Sequence, residues 1–151
     1  MVSNFLEMPG FLRLLTALAL LSLLSALLTI PPAAIDLYGH VIDAKQWWSN
    51  GSGCVLAAAH LVWALSAILI LKKISCGRAL HIFAWLLSGA SAFVIAKIND
   101  VTPPSIVEHV YPSLIFLSSM SLAIYLYRSE RVRKYFSPTQ IDGASKRNRQ
   151  V

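Results

Sequence analysis

Four apolar stretches of about 20 residues, the length that crosses a bilayer core, divide the chain. Residues 11–30 (FLRLLTALALLSLLSALLTI) stop at Pro31-Pro32. Residues 53–71 (GCVLAAAHLVWALSAILIL) end at Lys72-Lys73, and residues 79–97 (ALHIFAWLLSGASAFVIAK) run from Arg78 to the closing Lys97. The fourth stretch, about 107–127 (VEHVYPSLIFLSSMSLAIYLY), leads into the basic segment RSERVRKYF at 128–136. Charge collects at the ends because an ionisable group at depth is costly. Pro31-Pro32 removes two backbone donors that a continuing helix needs. The first stretch exceeds the roughly 7–15 apolar residues of a signal core, and no A-x-A precedes a polar start, so it is read as a retained membrane helix.

The connections refine this pattern. KKISCGR at 72–78 is short, so the second and third stretches are antiparallel neighbours. In the loop 31–52, Ile35, Tyr38, Val41, Ile42 and Lys45 recur at helical spacing. That spacing predicts an outer interfacial helix anchored by Trp47-Trp48. Asn50-Gly51-Ser52 matches a glycosylation sequon, but it abuts the next span, where an enzyme has little access. After the fourth span, Val132, Tyr135 and Phe136 are expected to face lipid, while Arg128, Arg131, Arg133 and Lys134 reach headgroups or water. The expected fold is all-α: a polytopic membrane protein, an antiparallel four-transmembrane-helix bundle with a basic C-terminal extension. Residues 1–136 form its single membrane domain, and 137–151 a polar, disordered cytoplasmic tail.

Within the third span, Ala84, Ser88, Ala92 and Ala96 recur every four residues. This stripe puts small side chains on one helical face, where neighbouring helices come close. These four are the predicted helix-packing residues.

Composition agrees with lipid as the solvent. The apolar fraction is 56% and the charged fraction 13%, against roughly 25% charged for soluble domains. The net charge is +6, but it lies beside apolar segments, which points to anionic headgroups rather than nucleic acid. Arg13, Lys72, Lys73, Arg78, Arg128, Arg131, Arg133, Lys134, Lys146, Arg147 and Arg149 fall on one side of a four-span chain; only Lys45 and Lys97 fall on the other. The positive-inside rule then places both termini in the cytoplasm of a cell membrane.

Candidate chemistry is sparse. Residues 14–30, 54–71, 79–96 and 110–127 contain no Asp, Glu, Lys or Arg, which disfavours a proton- or cation-coupled carrier. His60, His109 and Glu108 form the one speculative polar site, with His40, Asp36, Asp43 and Asp100 on the same outer side. No HxxxH spacing supports a metal there. His60 and His81 differ in depth by more than ~10 Å at helical rise, which argues against a shared haem. Cys54 and Cys76 lie at opposite ends of the second span and cannot pair within the chain. No catalytic residue, metal ligand or cofactor site is assigned.

The short Lys72-Lys73 connection, Gly77-Arg78 before an apolar span, and RSERVRKYF after the last span together resemble small uncharacterised bacterial four-helix inner-membrane proteins. The resemblance implies a bacterial cell inner membrane and brings no catalytic residues. Trp47-Trp48 without a cysteine pair does not match the Trp-Cys-Cys pattern of claudin-type junction proteins. The leading functional expectation is a non-enzymatic helix-packing or accessory protein, partnered by the bilayer and by a second copy or another membrane protein. A channel or transporter for a neutral solute, lined by serines, is one alternative, and a histidine-dependent redox or metal protein the other.

Overall fold

The computed structural model describes residues 2–31 and 33–137, and they are mostly helical. In chain order the elements are α1 (Val2–Glu7), α2 (Gly10–Leu21), α3 (Leu23–Leu27), β1 (Ala34–Leu37), β2 (His40–Asp43), α4 (Ala44–Ser49), α5 (Ser52–Leu71), α6 (Cys76–Ile98), α7 (Ser105–His109), α8 (Tyr111–Arg128) and α9 (Glu130–Phe136). Three helices are long and apolar enough to cross a membrane: α2 with α3 as Gly10–Leu27, α5, and α6. The helix at α8 has 18 residues, but Tyr111, Pro112, Ser118, Ser119, Ser121 and Arg128 dilute its apolarity. It also starts later than the expected 107, because the chain breaks at Val110 between α7 and α8. The expected tail lies outside the described residues, apart from Ser137.

The first loop corrects the sequence reading. Residues 34–43 are not helical but form an antiparallel hairpin, with Ile35 opposite Ile42 and Leu37 opposite His40. Tyr38 and Gly39 make a two-residue turn with φ of 54° and 86°. Positive φ at both positions is the hairpin turn whose twist suits the flanking strands. Asp36 fastens it, its Oδ1 accepting from the Gly39 N–H at 2.7 Å. Of the residues that made the apparent helical spacing, β-branched Ile35, Val41 and Ile42 lie in the two strands, Tyr38 is in the turn and Lys45 is in the following helix. A helix does follow, the short α4, with Asp43 as its N-cap accepting from the Lys45 N–H. Trp47 on α4 is buried, packed with Ile42 and Ile95.

The long helices pack in the order α2, α5, α6, α8. Contact between α5 and α6 is the most extensive, and Gly77 permits it: a Cβ there would sit 2.9 Å from the Ile70 backbone nitrogen. On the other side of α6, a Cβ on Gly89 would meet Ile115 of α8 at 2.6 Å.

Two layers close the ends. At the end carrying α1 and α9, Met8, Leu12, Leu15, Ile70, Leu71, Leu122 and Leu126 form a core. Val132 and Tyr135 of α9 belong to this core and are buried, so they do not face lipid as expected. Side chains of α9 and α1 reach the last carbonyls of α5, of which the Ile70 carbonyl also accepts from the Lys73 N–H at 2.9 Å. The Ile70 carbonyl accepts from the Tyr135 hydroxyl at 3.2 Å, and the Leu71 carbonyl accepts from the Asn4 amide at 2.9 Å. Lys73 and Glu7 add an ion pair at 2.7 Å. At the opposite end, Asn50 Nδ2 donates to Asn99 Oδ1, and Asn99 Nδ2 donates to Ser52 Oγ, both at 2.8 Å. The sequon's side chains are thus engaged in joining α5 to α6.

Candidate functional site

Polar and aromatic side chains between the long helices form one chain of contacts. Ser25 Oγ on α3 lies 2.6 Å from His60 Nδ1 on α5. The His60 ring faces Trp63, one turn further along α5, with centroids 6.5 Å apart. Trp63 Nε1 donates to His81 Nε2 on α6 at 3.3 Å, and Ser66 Oγ contacts His81 Nδ1 at 2.8 Å. Trp63 also meets Trp85 edge to face, centroids 5.5 Å apart, and Trp85 Nε1 donates to Ser118 Oγ on α8 at 3.0 Å. The spacing of these residues explains their meeting. His60, Trp63 and Ser66 lie three apart on α5, and His81 and Trp85 four apart on α6, so each set shares a face.

The protons around His81 are fixed by counting donors. His81 Nε2 accepts from Trp63, so a neutral imidazole carries its proton on Nδ1 and donates to Ser66. The Ser66 hydroxyl, in turn, donates to the Trp63 carbonyl at 2.6 Å. Ser25 Oγ lies 2.5 Å from the Ser22 carbonyl and shares a second hydrogen bond with His60 Nδ1. A general base needs an unprotonated nitrogen facing the hydroxyl proton. The Ser66–His81 pair is wired in the reverse sense, and both Ser–His pairs tie neighbouring helices together.

Two cavities flank the Trp85–Ser118 bond. One, of about 460 Å³, is lined by Trp63, Trp85, Ser88, Gly89, Tyr111, Leu114, Ile115 and Ser118. The other, of about 360 Å³, lies between Phe11, Leu15, Trp85, Ser118, Ser121 and Leu122. No Asp, Glu, Lys or Arg lines either.

The predicted packing stripe is divided. Ala84 and Ala96 are buried, whereas Ser88 and Ala92 are partly covered. The buried positions on α6 are Gly77, His81, Ala84, Gly89, Ser91, Ile95 and Ala96. Repeats of four drift around a helix of 3.6 residues per turn, so the stripe turns away from a single neighbour. The two glycines were missed because the sequence does not show which residue each would oppose.

His60, His109 and Glu108 are not brought together as a ligand set. His60 bonds to Ser25, whereas exposed His109 contacts the Ser105 carbonyl of its own helix at 2.8 Å, and Glu108 is exposed. Among the described residues, no group of three His, Cys, Asp or Glu is placed to hold a metal. The network that does form includes Trp63 and His81; the sequence reading weighed His81 only as a haem ligand and assigned neither residue to a site. Their signal was the coincidence of polar residues at three- and four-residue spacing on two helices already read as neighbours.

At the terminal end, Arg128, Arg131, Arg133 and Lys134 are all exposed. Glu130 pairs with Lys134 at 3.0 Å, and that hydrogen bond and charge hold the Glu130 carboxyl below its usual range. Burial, and then the nearby Glu7 carboxylate, push the Tyr135 hydroxyl up to about 12. Cys54 and Cys76 are free and exposed. No protein-family model, curated protein or solved structure matches the chain.

Proposed function

We propose that this chain is a four-span protein of a bacterial inner membrane, with both termini in the cytoplasm, that performs no chemistry and acts by association with another membrane protein or a second copy. The wiring of the Ser66–His81 pair carries the reading. The Ser66 proton is committed to the Trp63 carbonyl and His81 donates to Ser66, so this pair does not activate a nucleophile. In this reading α8 is the fourth span. Its packing on α6 and the apolar surface of Leu114, Phe116, Leu117 and Ile124 support that, since all four are exposed and lipid would cover them. The one-sided placement of the basic residues supports the orientation.

Mild-detergent purification from native membranes, followed by crosslinking and blue-native electrophoresis, tests association. A stoichiometric partner or a second copy is expected. A lone monomer in both assays would overturn the reading. The serines that line the cavities favour a second reading, a passage for a neutral solute closed by the Trp85–Ser118 bond. Solute flux in proteoliposomes that rises in Trp85→Ala would support it, and no flux in either form would remove it.

A further inference from the structure

We infer that the end carrying α1 and α9 binds the headgroup of an anionic phospholipid, its phosphate at Arg78 of α6 and Arg128 of α8 and its acyl chains on the apolar surface beside them. The charge balance at that end motivates this. Its cations cluster at the start of α2, around the α5–α6 connection and along 128–134, and among the described residues its carboxylates are Glu7 and Glu130. Both are already paired, Glu7 with Lys73 at 2.7 Å and Glu130 with Lys134 at 3.0 Å. Arg13 Nη2 donates to the Leu6 and Met8 carbonyls at 2.7 and 3.2 Å. Arg78 and Arg128 form no ion pair among the described residues.

Arg78 is built to hold an anion. Its guanidinium lies over the rings of Tyr127 and Phe136, each centroid 4.8 Å away. Two stacking contacts hold the planar fork in one orientation, and that fork matches phosphate oxygens in pairs. The Nε is enclosed, and Nη1 makes one long bond to the Leu126 carbonyl at 3.4 Å. The outward edge of the fork is therefore the part that meets a ligand. A half-buried cation without a counter-charge is costly, and a phosphate at that edge would supply one. Tyr127, which carries Arg78 on its ring, immediately precedes exposed Arg128, so a second cation borders the same spot. The neighbouring surface selects a lipid over a soluble anion. Phe83, beyond Arg78 on α6, and Ile124, one turn before Arg128 on α8, are both exposed. Acyl chains would cover them, whereas a free phosphate or an acidic peptide would not. The inference rests on the proposed four-span topology and needs no protein partner.

Native mass spectrometry of the full chain in mild detergent, titrated with phosphatidylglycerol or phosphatidylcholine, tests the site. Phosphatidylglycerol is expected to bind more tightly, by about fivefold or more. Arg78→Gln should reduce that preference about fivefold, the effect of one basic residue at an anionic surface. Arg128→Gln should reduce it in the same sense, and because Arg128 is exposed this variant serves if Arg78→Gln fails to fold. Lys97→Gln, which removes the same charge at the opposite end, should leave the preference unchanged. Equal binding of the two lipids would overturn the inference, as would a preference that survives both arginine changes or falls equally in Lys97→Gln. Displacement of the lipid by glycerol 3-phosphate would assign the arginines to a soluble phosphate and overturn the lipid site. Reconstitution into nanodiscs separates the two readings. A chain that does not enter lipid would overturn the topology and the inference with it, and entry without any lipid preference would overturn the lipid site alone.

Discussion

The two ends of the molecule solve the same packing problem differently. At one end, α2, α5 and α8 converge on Leu12, Ile70 and Leu126, all fully buried, and α1 and α9 cover them. Phe11 closes on Tyr125 edge to face, centroids 4.8 Å apart. At the opposite end the hairpin and α4 cover α5 and α6 through Ile42, Trp47 and Ile95. The first half of α8 receives no such cover, and Tyr111, Leu114, Phe116 and Leu117 are exposed. The difference follows from side-chain size. Large aliphatic residues interlock at the closed end, whereas Ser88 and Ser118 leave space beside two indoles in the middle. One helix pair can therefore be rigid at one end and hold a cavity further along.

Removing interlocking volume should produce the largest contrast. Leu126→Ala should cost about 2–5 kcal/mol by leaving a cavity in a closed core, while Leu117→Ala, exposed to its surroundings, should change stability little. Unfolding by denaturing detergent in mixed micelles measures both. Equal losses would mean that the two ends are packed alike. Next comes close approach: Gly77→Ala should cost about 1–3 kcal/mol by overpacking, because its Cβ would meet the Ile70 backbone rather than a movable side-chain tip.

The docking of α9 should respond less strongly, and with a defined sign. The Tyr135 hydroxyl has its pKa raised from 10.0 to about 12 by burial and then by Glu7. A raised acid favours the docked state while it is neutral, so its contribution is full below pH 10 and is lost as pH rises toward 12. Hydrogen exchange along α9 should speed up in that window. Tyr135→Phe, which also removes the bond to Ile70, should weaken docking by about 0.5–1.5 kcal/mol at neutral pH and abolish the alkaline step. The smallest effect belongs to Glu7→Gln. Its carboxylate is 58% exposed, and such pairs contribute about 0.2–1 kcal/mol. High salt should erase the difference.

The helical architecture was legible because length and apolarity report it directly: three predicted spans return as Gly10–Leu27, α5 and α6, with ends within a few residues of those expected. The hairpin was not, because Tyr38-Gly39 lacks the Asn-Gly or Asp-Gly signature of its turn. The burial of Val132 and Tyr135 was equally hidden. An amphipathic segment reads the same whether its apolar face meets lipid or the carbonyl end of another helix, and only the fold brings Ile70 within reach. In the site, residue types were visible and their pairing was not. His81 was placed near a helix end and apart from His60, yet both rings contact Trp63. Depth along an axis says nothing about a shared neighbour with a side chain as long as an indole.

The proposed orientation puts the closed, basic end in the cytoplasm and the hairpin end outside. The chain's own cysteines test it, since Cys54 begins α5 at the hairpin end, Cys76 begins α6 at the terminal end, and both are free and exposed. A membrane-impermeant maleimide applied to intact spheroplasts should label Cys54, as read in Cys76→Ala, and should label Cys76, as read in Cys54→Ala, only after the membrane is opened. Labelling of Cys76 in intact spheroplasts, with Cys54 protected, would contradict the orientation. Labelling of both before opening would contradict the membrane crossing between them.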